Sequence, residues 1–141
     1  MASIYLKKKI NSTLERAWSK IGKPDEIHLL LSILESAHVL NGVYRTCQLK
    51  KGLPVSGEIK ELIFSVDEQQ HRVAYTIIAS PFGFEQHAAS MQLSSEADGV
   101  YFTWITDVKP DSLTDSMKPL FEQEFKHIVN VLDSERILGG I

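Results

Sequence analysis

One stretch near the C-terminus, Asp111 to Arg136, constrains everything that precedes it. Apolar residues recur there at Met117, Phe121, Phe125, Ile128 and Leu132, spacings of three and four that lay one stripe along a helix. Leu120, Val129 and Val131 widen the stripe, while Lys118, Glu122, Gln123, Lys126, Asn130 and Asp133 fall largely on the other side. The dry face of such a helix needs a cover. The chain offers no second long amphipathic helix, and from Ile33 to Val108 its apolar period is two. The economical answer is an α+β architecture, one antiparallel sheet curved around one helix, with a ligand cavity between them.

The remaining elements follow in order. Ser3 to Ile10 alternates loosely and predicts an opening strand; Lys7-Lys8-Lys9 within it suits a solvated sheet edge, where lysine discourages edge-to-edge pairing. Ser12 with Glu15 three residues on predicts a capped helix start, and Leu14, Ala17, Trp18 and Ile21 form the apolar side of a short helix that Gly22 ends. Pro24, Asp25 and Glu26 suit the first turn of a second short helix reaching about Leu31. Six strands are predicted next: Ile33 to Leu40, Val43 to Leu49, Val55 to Val66, His71 to Ser80, Phe84 to Ser94 and Val100 to Lys109. Asn41-Gly42 and Asp98-Gly99 are the strongest of the hairpin turns between them. Pro119 places the well-formed start of the last helix near Met117 to Pro119, after a looser turn around Ser112 to Ser116, and Gly139-Gly140 closes that helix.

At 141 residues the chain, 1–141, makes one domain. Its net charge of -3 comes from intermixed acids and bases, which argues against nucleic acid or an anionic membrane as the main partner. No run approaches eighteen apolar residues, so membrane insertion is not expected. Cys47 stands alone and no Cys/His ligand spacing occurs, so neither a disulfide nor a metal site is expected, and a cytoplasmic location fits best. No Gly-x-Ser-x-Gly, HExxH or glycine-rich phosphate loop occurs, which leaves no evident nucleophile and no expected cofactor.

Several residues in this order carry a resemblance. Trp18 in the first helix, the turn Asn41-Gly42-Val43-Tyr44-Arg45, the strand end Glu61-Leu62-Ile63-Phe64-Ser65-Val66-Asp67, the run Arg72-Val73-Ala74-Tyr75-Thr76-Ile77, Thr103-Trp104 and the final helix resemble the START-like (SRPBCC) superfamily. Its fold is the helix-grip type of the birch-pollen allergen: a seven-stranded curved antiparallel sheet around a long C-terminal helix, with two short helices after the first strand. Within it the chain looks most like the polyketide cyclase/dehydrase and lipid-transport group. Lys51-Gly52-Leu53-Pro54 is also similar to the Ser-Gly-Leu-Pro gate loop of plant abscisic-acid receptors, with Lys51 at the serine position and no counterpart to their latch, so hormone perception is not implied.

Alternation then nominates the lining of a cavity. The inward sets are Arg45, Cys47 and Leu49; Ile59, Glu61 and Ile63; Val73, Tyr75 and Ile77; and Val100, Phe102 and Trp104, joined by Phe121 and Phe125 from the helix. The strand Phe84 to Ser94 offers either Gln86, Ala88 and Ser90 or His87, Ala89 and Met91; family likeness favours Gln86 and Ala88. Leu53, Pro54 and Phe82 sit in loops that suit a cavity gate. Arg45 and Glu61 put charges into otherwise apolar sets, so they read either as a structural ion pair or as a recognition point, Arg45 for a carboxylate or enolate and Glu61 for a hydroxyl. His28 is placed near the cavity entrance by resemblance, and His127 beside Glu124 either edges the cavity or, by default, is solvated helix surface.

The resemblance implies a carrier or sensor of a small hydrophobic molecule with a polar group, monomeric or homodimeric. A cyclase, aromatase or dehydratase working without a cofactor through Glu61, Arg45 and Tyr75 is the alternative. A co-chaperone-like interaction domain is a third.

Overall fold

The computed structural model describes residues Ala2–Leu138, without the side chains of residues 135–138. The expected closure at Gly139-Gly140 lies outside the described residues. Strand β1 (Ala2–Ile10) is followed by helix α1 (Leu14–Ile21) and a 3₁₀ helix (Pro24–Leu29). Then come β2 (Leu34–Leu40), β3 (Tyr44–Leu49), β4 (Glu58–Asp67), β5 (Arg72–Ala79), β6 (Gln86–Glu96) and β7 (Gly99–Lys109), and last α2 (Ser112–Leu138). The strands form one antiparallel seven-stranded sheet in the order β1-β7-β6-β5-β4-β3-β2.

Local chemistry accounts for the turns. Asn41 and Gly42 both take positive φ, 55° and 72°, as a primed hairpin turn requires. Irregularities in register between Lys60 and Glu61 and between Ile63 and Ser65 bend β4, and another between Leu34 and Ser36 bends β2. The sheet therefore curves around α2. Phe125, Ile128, Val129 and Leu132 of the helix are buried on its concave side together with Phe102, Met91, Leu93 and Ile10. Full burial of such side chains contributes roughly 1.5–3 kcal/mol each.

Three expectations are corrected. The cap of α1 is Thr13, not Ser12: its Oγ1 accepts from the Arg16 N–H at 3.2 Å and its carbonyl takes the first helical bond from Ala17, while the Ser12 hydroxyl donates to the Thr13 carbonyl. The last helix starts at Ser112, ahead of the expected Met117 to Pro119. Leu113 and Thr114 donate to the carbonyls of Pro110 and Asp111, and Pro119 lies on an exposed position, where its ring meets solvent and only the bond to Asp115 is forgone.

The third correction concerns β6. Gln86 is exposed and pairs with Lys109, and Ala88 pairs with Asp107, so both lie on the convex face. Directly opposed residues share a face. Tyr75 opposes Ala89 and Trp104 opposes Met91, so the inward positions of Tyr75 and Trp104 force His87, Ala89 and Met91 inward.

Trp18 lies over Gly22, touches the His71 ring edge-on at 5.4 Å and donates from Nε1 to Glu68 at 2.6 Å. Gly22 has φ -78°, which any residue tolerates, yet a Cβ there would sit 2.6 Å from the Trp18 ring. Gly22→Ala is therefore expected to destabilise the fold by about 1–3 kcal/mol in urea unfolding. An unchanged midpoint would show that Trp18 has room to move.

Candidate functional site

The curved sheet does not close on α2 along its whole length. Under the C-terminal half of the helix Phe125 stacks on Phe102 at 5.4 Å and fills the space. Under the N-terminal half a cavity remains, with about 60 Å³ open to the centres of water-sized molecules. One water needs roughly 10–15 Å³ by that measure, so the space suits a few waters or one slender, flat molecule.

Each wall comes from a different element. Met117, Leu120, Phe121 and Glu124 of α2 form the roof; Leu31, Ile33 and Leu34 close one end. Cys47 of β3, Ile59 and Glu61 of β4, Tyr75 and Ile77 of β5 and Trp104 of β7 make the floor. Phe82 and Phe84, their rings 5.9 Å apart, and His87 stand at the other end.

A polar chain runs beneath this apolar lining. Arg45 and Glu61 oppose each other on β3 and β4, and the Arg45 Nε donates to Glu61 Oε1 at 2.6 Å. The Cys47 thiol points at the same oxygen from 3.6 Å, Arg45 Nη1 donates to the Pro24 carbonyl at 3.1 Å, and the guanidinium lies 5.0 Å from the Tyr75 ring centre. Tyr75 accepts from Trp104 Nε1 at 3.1 Å, and Trp104 meets Phe121 edge-on at 5.0 Å.

A second constellation joins helix and strand ends. Glu124, 2% exposed, accepts from the Ser32 hydroxyl at 2.5 Å and from the Ile33 N–H at 3.0 Å, so it fixes the entry to β2 against α2. At the far end the β5–β6 ladder stops at Tyr75 and Ala89. Beyond it the Ile77 N–H finds His87 Nδ1 at 2.9 Å in place of a strand partner, and the Thr76 hydroxyl bonds the His87 carbonyl.

With this geometry the comparisons acquire a meaning. A profile of the family described as polyketide cyclase/dehydrase and lipid transport matches residues 1–132. The chain belongs to that family. Its fold recurs in XoxI from Bacillus cereus, with a TM-score of 0.80 at 18% identity over 95% of this chain and 94% of that one. An uncharacterized protein from Bacillus thuringiensis gives 0.79 at 15% identity over 93% and 98%. The structure of Ara h 8.0201 gives 0.68 at 15% identity over 93% and 97%, in keeping with the helix-grip fold. No curated protein matches in sequence. Among the described residues of this family member no helix is long and apolar enough to cross a membrane, and no cluster of three metal-ligating side chains occurs.

The nominated residues sort by position. Cys47, Ile59, Glu61, Tyr75, Ile77, Trp104, Phe121 and Phe82 line the cavity. Arg45, 2% exposed, stands behind Glu61 and is not among the lining residues, the position of an ion-pair partner. Phe102 and Phe125 fill core below it, and Gln86 and Ala88 lie outside. Leu53 is half-buried against the core and Pro54 is exposed; neither reaches the cavity, so of the gate residues only Phe82 does. His28 is half-buried with a buried Nδ1 lacking a hydrogen bond among the described residues, and is not part of the lining. Two lining groups were the less favoured of two readings: His87, in the register not preferred for its strand, and Glu124, taken by default as solvated although helical spacing from Phe121 and Leu120 puts it on the same side.

Burial governs the electrostatics. Desolvation opposes the charge of Arg45, but Glu61 more than restores it and the pKa rises. Burial first, and the Glu61 charge second, raise Tyr75 and push the Cys47 thiol up to about 12, against the opposing pull of Arg45. Cys47 is 1% exposed. The native protein should therefore be silent to a disulfide thiol reagent at pH 8 and show one thiol per chain in guanidinium; rapid labelling of the native form would contradict the burial.

Desolvation lowers His87 from 6.5 to about 4, with Asp107 pulling weakly the other way. Above pH 6.5 the ring is neutral in both states and costs nothing. Between pH 6.5 and about 4 the unfolded chain holds a proton that the native chain lacks, so stability falls with pH through that window. Relative to His87→Gln, the unaltered protein should lose on the order of 3 kcal/mol between pH 7 and pH 4 in urea unfolding. Parallel curves for the two proteins would show that His87 is not the group responsible.

Proposed function

We propose that the protein binds one small apolar molecule bearing a polar group in the cavity between α2 and the sheet, as a carrier or sensor. The observation that carries this reading is the division of α2: Phe125 and the buried residues after it pack on the sheet, with Phe125 stacked on Phe102, while the N-terminal half spans an open space edged by Phe82, Phe121 and Trp104. Close packing is the rule in protein interiors, and an apolar void that persists beside it suits a guest. Membership of a family named for cyclases, dehydrases and lipid transport supports a hydrophobic guest, and a cytoplasmic location suits the lone buried thiol.

Carriage is favoured over a cyclase or dehydratase reaction by three of the titratable groups in the lining. A general acid or base works best with a pKa near the working pH. Cys47 is held near 12, Tyr75 is raised, and His87 is lowered to about 4 with Nδ1 already occupied by the Ile77 N–H. None of these three is poised to shuttle a proton near neutrality.

Native mass spectrometry of freshly purified protein, compared with its denatured mass, tests the reading. The expected result is a discrete mass difference corresponding to one small molecule per chain, released on unfolding. A protein that sprays bare and takes up no apolar compound when offered one overturns it.

A further inference from the structure

Resting on that reading of the cavity, we infer that the preferred ligand is an apolar molecule bearing a neutral hydroxyl, which donates to Glu61 Oε2 and accepts from the Tyr75 O–H, and that carboxylates are rejected. Glu61 has one satisfied oxygen and one open one. Oε1 takes the Arg45 and Cys47 contacts, whereas Oε2 takes no hydrogen bond among the described residues, although the side chain is only 7% exposed and lines the cavity. A carboxylate is acceptor-only, so the oxygen left open to the cavity is a place for a donor. The unmet atom asks for a donor.

The charge around the cavity decides which donor and which ligand. Glu61 and Glu124 both line it, and Arg45 stands behind Glu61 with Nε and Nη1 committed to Glu61 and the Pro24 carbonyl. A ligand carboxylate would meet Glu124 and the open side of the Arg45-paired Glu61 with no cation in the lining, in surroundings of low dielectric. That excludes anions, fatty acids among them.

Tyr75 separates a hydroxyl from an ammonium. Its oxygen accepts from Trp104, and among the described residues its own proton has no acceptor. Glu61 opposes Ile77 and Tyr75 opposes Ile63, so Glu61 and Tyr75 are diagonal neighbours across β4 and β5. Such neighbours stand roughly 7–8 Å apart at the backbone, and both side chains line the same cavity, so one ligand group can face the two. A hydroxyl both donates and accepts, and so satisfies both groups at once; an ammonium has no lone pair for Tyr75, and a hydrocarbon satisfies neither.

The test is isothermal titration calorimetry of the unaltered protein at pH 7 with four compounds sharing one flat body: 2-naphthol, 2-naphthoate, 2-methylnaphthalene and 2-naphthylmethylammonium. 2-Naphthol is expected to bind at least about tenfold more tightly than each of the others. Glu61→Gln should weaken 2-naphthol about tenfold and strengthen 2-naphthoate. If that variant fails to fold, Tyr75→Phe, which keeps the ring, should narrow the advantage of the hydroxyl over the methyl group. Equal or tighter binding of 2-naphthoate or the ammonium compound overturns the selectivity while leaving the cavity a binding site. Equal binding of 2-methylnaphthalene overturns the polar anchor alone. Binding by none of the four overturns both this inference and the cavity reading beneath it.

Discussion

One helix has to cover the concave face of seven strands, and most of the molecule follows from that mismatch. The apolar stripe of α2 is wide enough to fill the trough where Phe125, Ile128 and Leu132 meet the sheet. Nearer its N-terminus the same helix carries Met117, Leu120 and Phe121, which reach the space without filling it. The cavity is thus the remainder left when a cylinder is laid in a trough of greater curvature. Its position along the helix is set by where the large aromatic pair, Phe102 and Phe125, takes up the volume.

Charge in that interior is tolerated because it is tied down. An ion pair such as Arg45–Glu61 gains little net stability, since desolvation of both partners offsets their attraction, yet removing one partner typically costs about 3–5 kcal/mol. The pair therefore acts chiefly as a constraint on register: it holds β3 to β4 with Arg45 opposite Glu61, and through Pro24 it holds the 3₁₀ helix to the sheet. Glu124 performs the corresponding task from above by accepting from Ser32 and Ile33. Both carboxylates are consequently rigid parts of the wall.

The fold was legible in the sequence because each level agreed: period two between Ile33 and Val108, turn chemistry such as Asn41-Gly42 between the strands, and one long amphipathic segment at the end. The floor of the site was legible for the same reason, since alternation on β3, β4, β5 and β7 put Cys47, Glu61, Tyr75 and Trp104 on one face. Strand β6 misled because family likeness was weighed above polarity, although histidine, alanine and methionine make a drier face than glutamine, alanine and serine. Turn geometry held the answer: any two-residue loop at Ala97-Asp98-Gly99 gives Trp104 an odd-numbered partner, and family likeness pointed the other way. The roles of Arg45 and Glu124 were legible only in part: the ion pair with Glu61 was one of two readings, and helical spacing put Glu124 on the side of Phe121. Whether a charged side chain faces a cavity or stands behind it depends on neighbours from other elements, which no local pattern encodes. Pro119 misled for a simpler reason, since a proline on the solvent side of a helix forfeits one bond without ending it.

The early end of the β5–β6 ladder has a mechanical meaning. Backbone pairing between these strands runs from Arg72 opposite Gln92 to Tyr75 opposite Ala89, with one more bond from the Leu93 N–H to the His71 carbonyl, while β6 and β7 pair along their whole length. The sheet is in effect two panels, β1-β7-β6 and β5-β4-β3-β2, sewn together by one short seam whose last stitches are the Thr76 hydroxyl and the His87 side chain. Any flexing of one panel against the other would widen the gap at the Phe82 and Phe84 end and leave α2 seated on its packed half. The doorway to the interior is then a slit in the wall, and the roof need not lift.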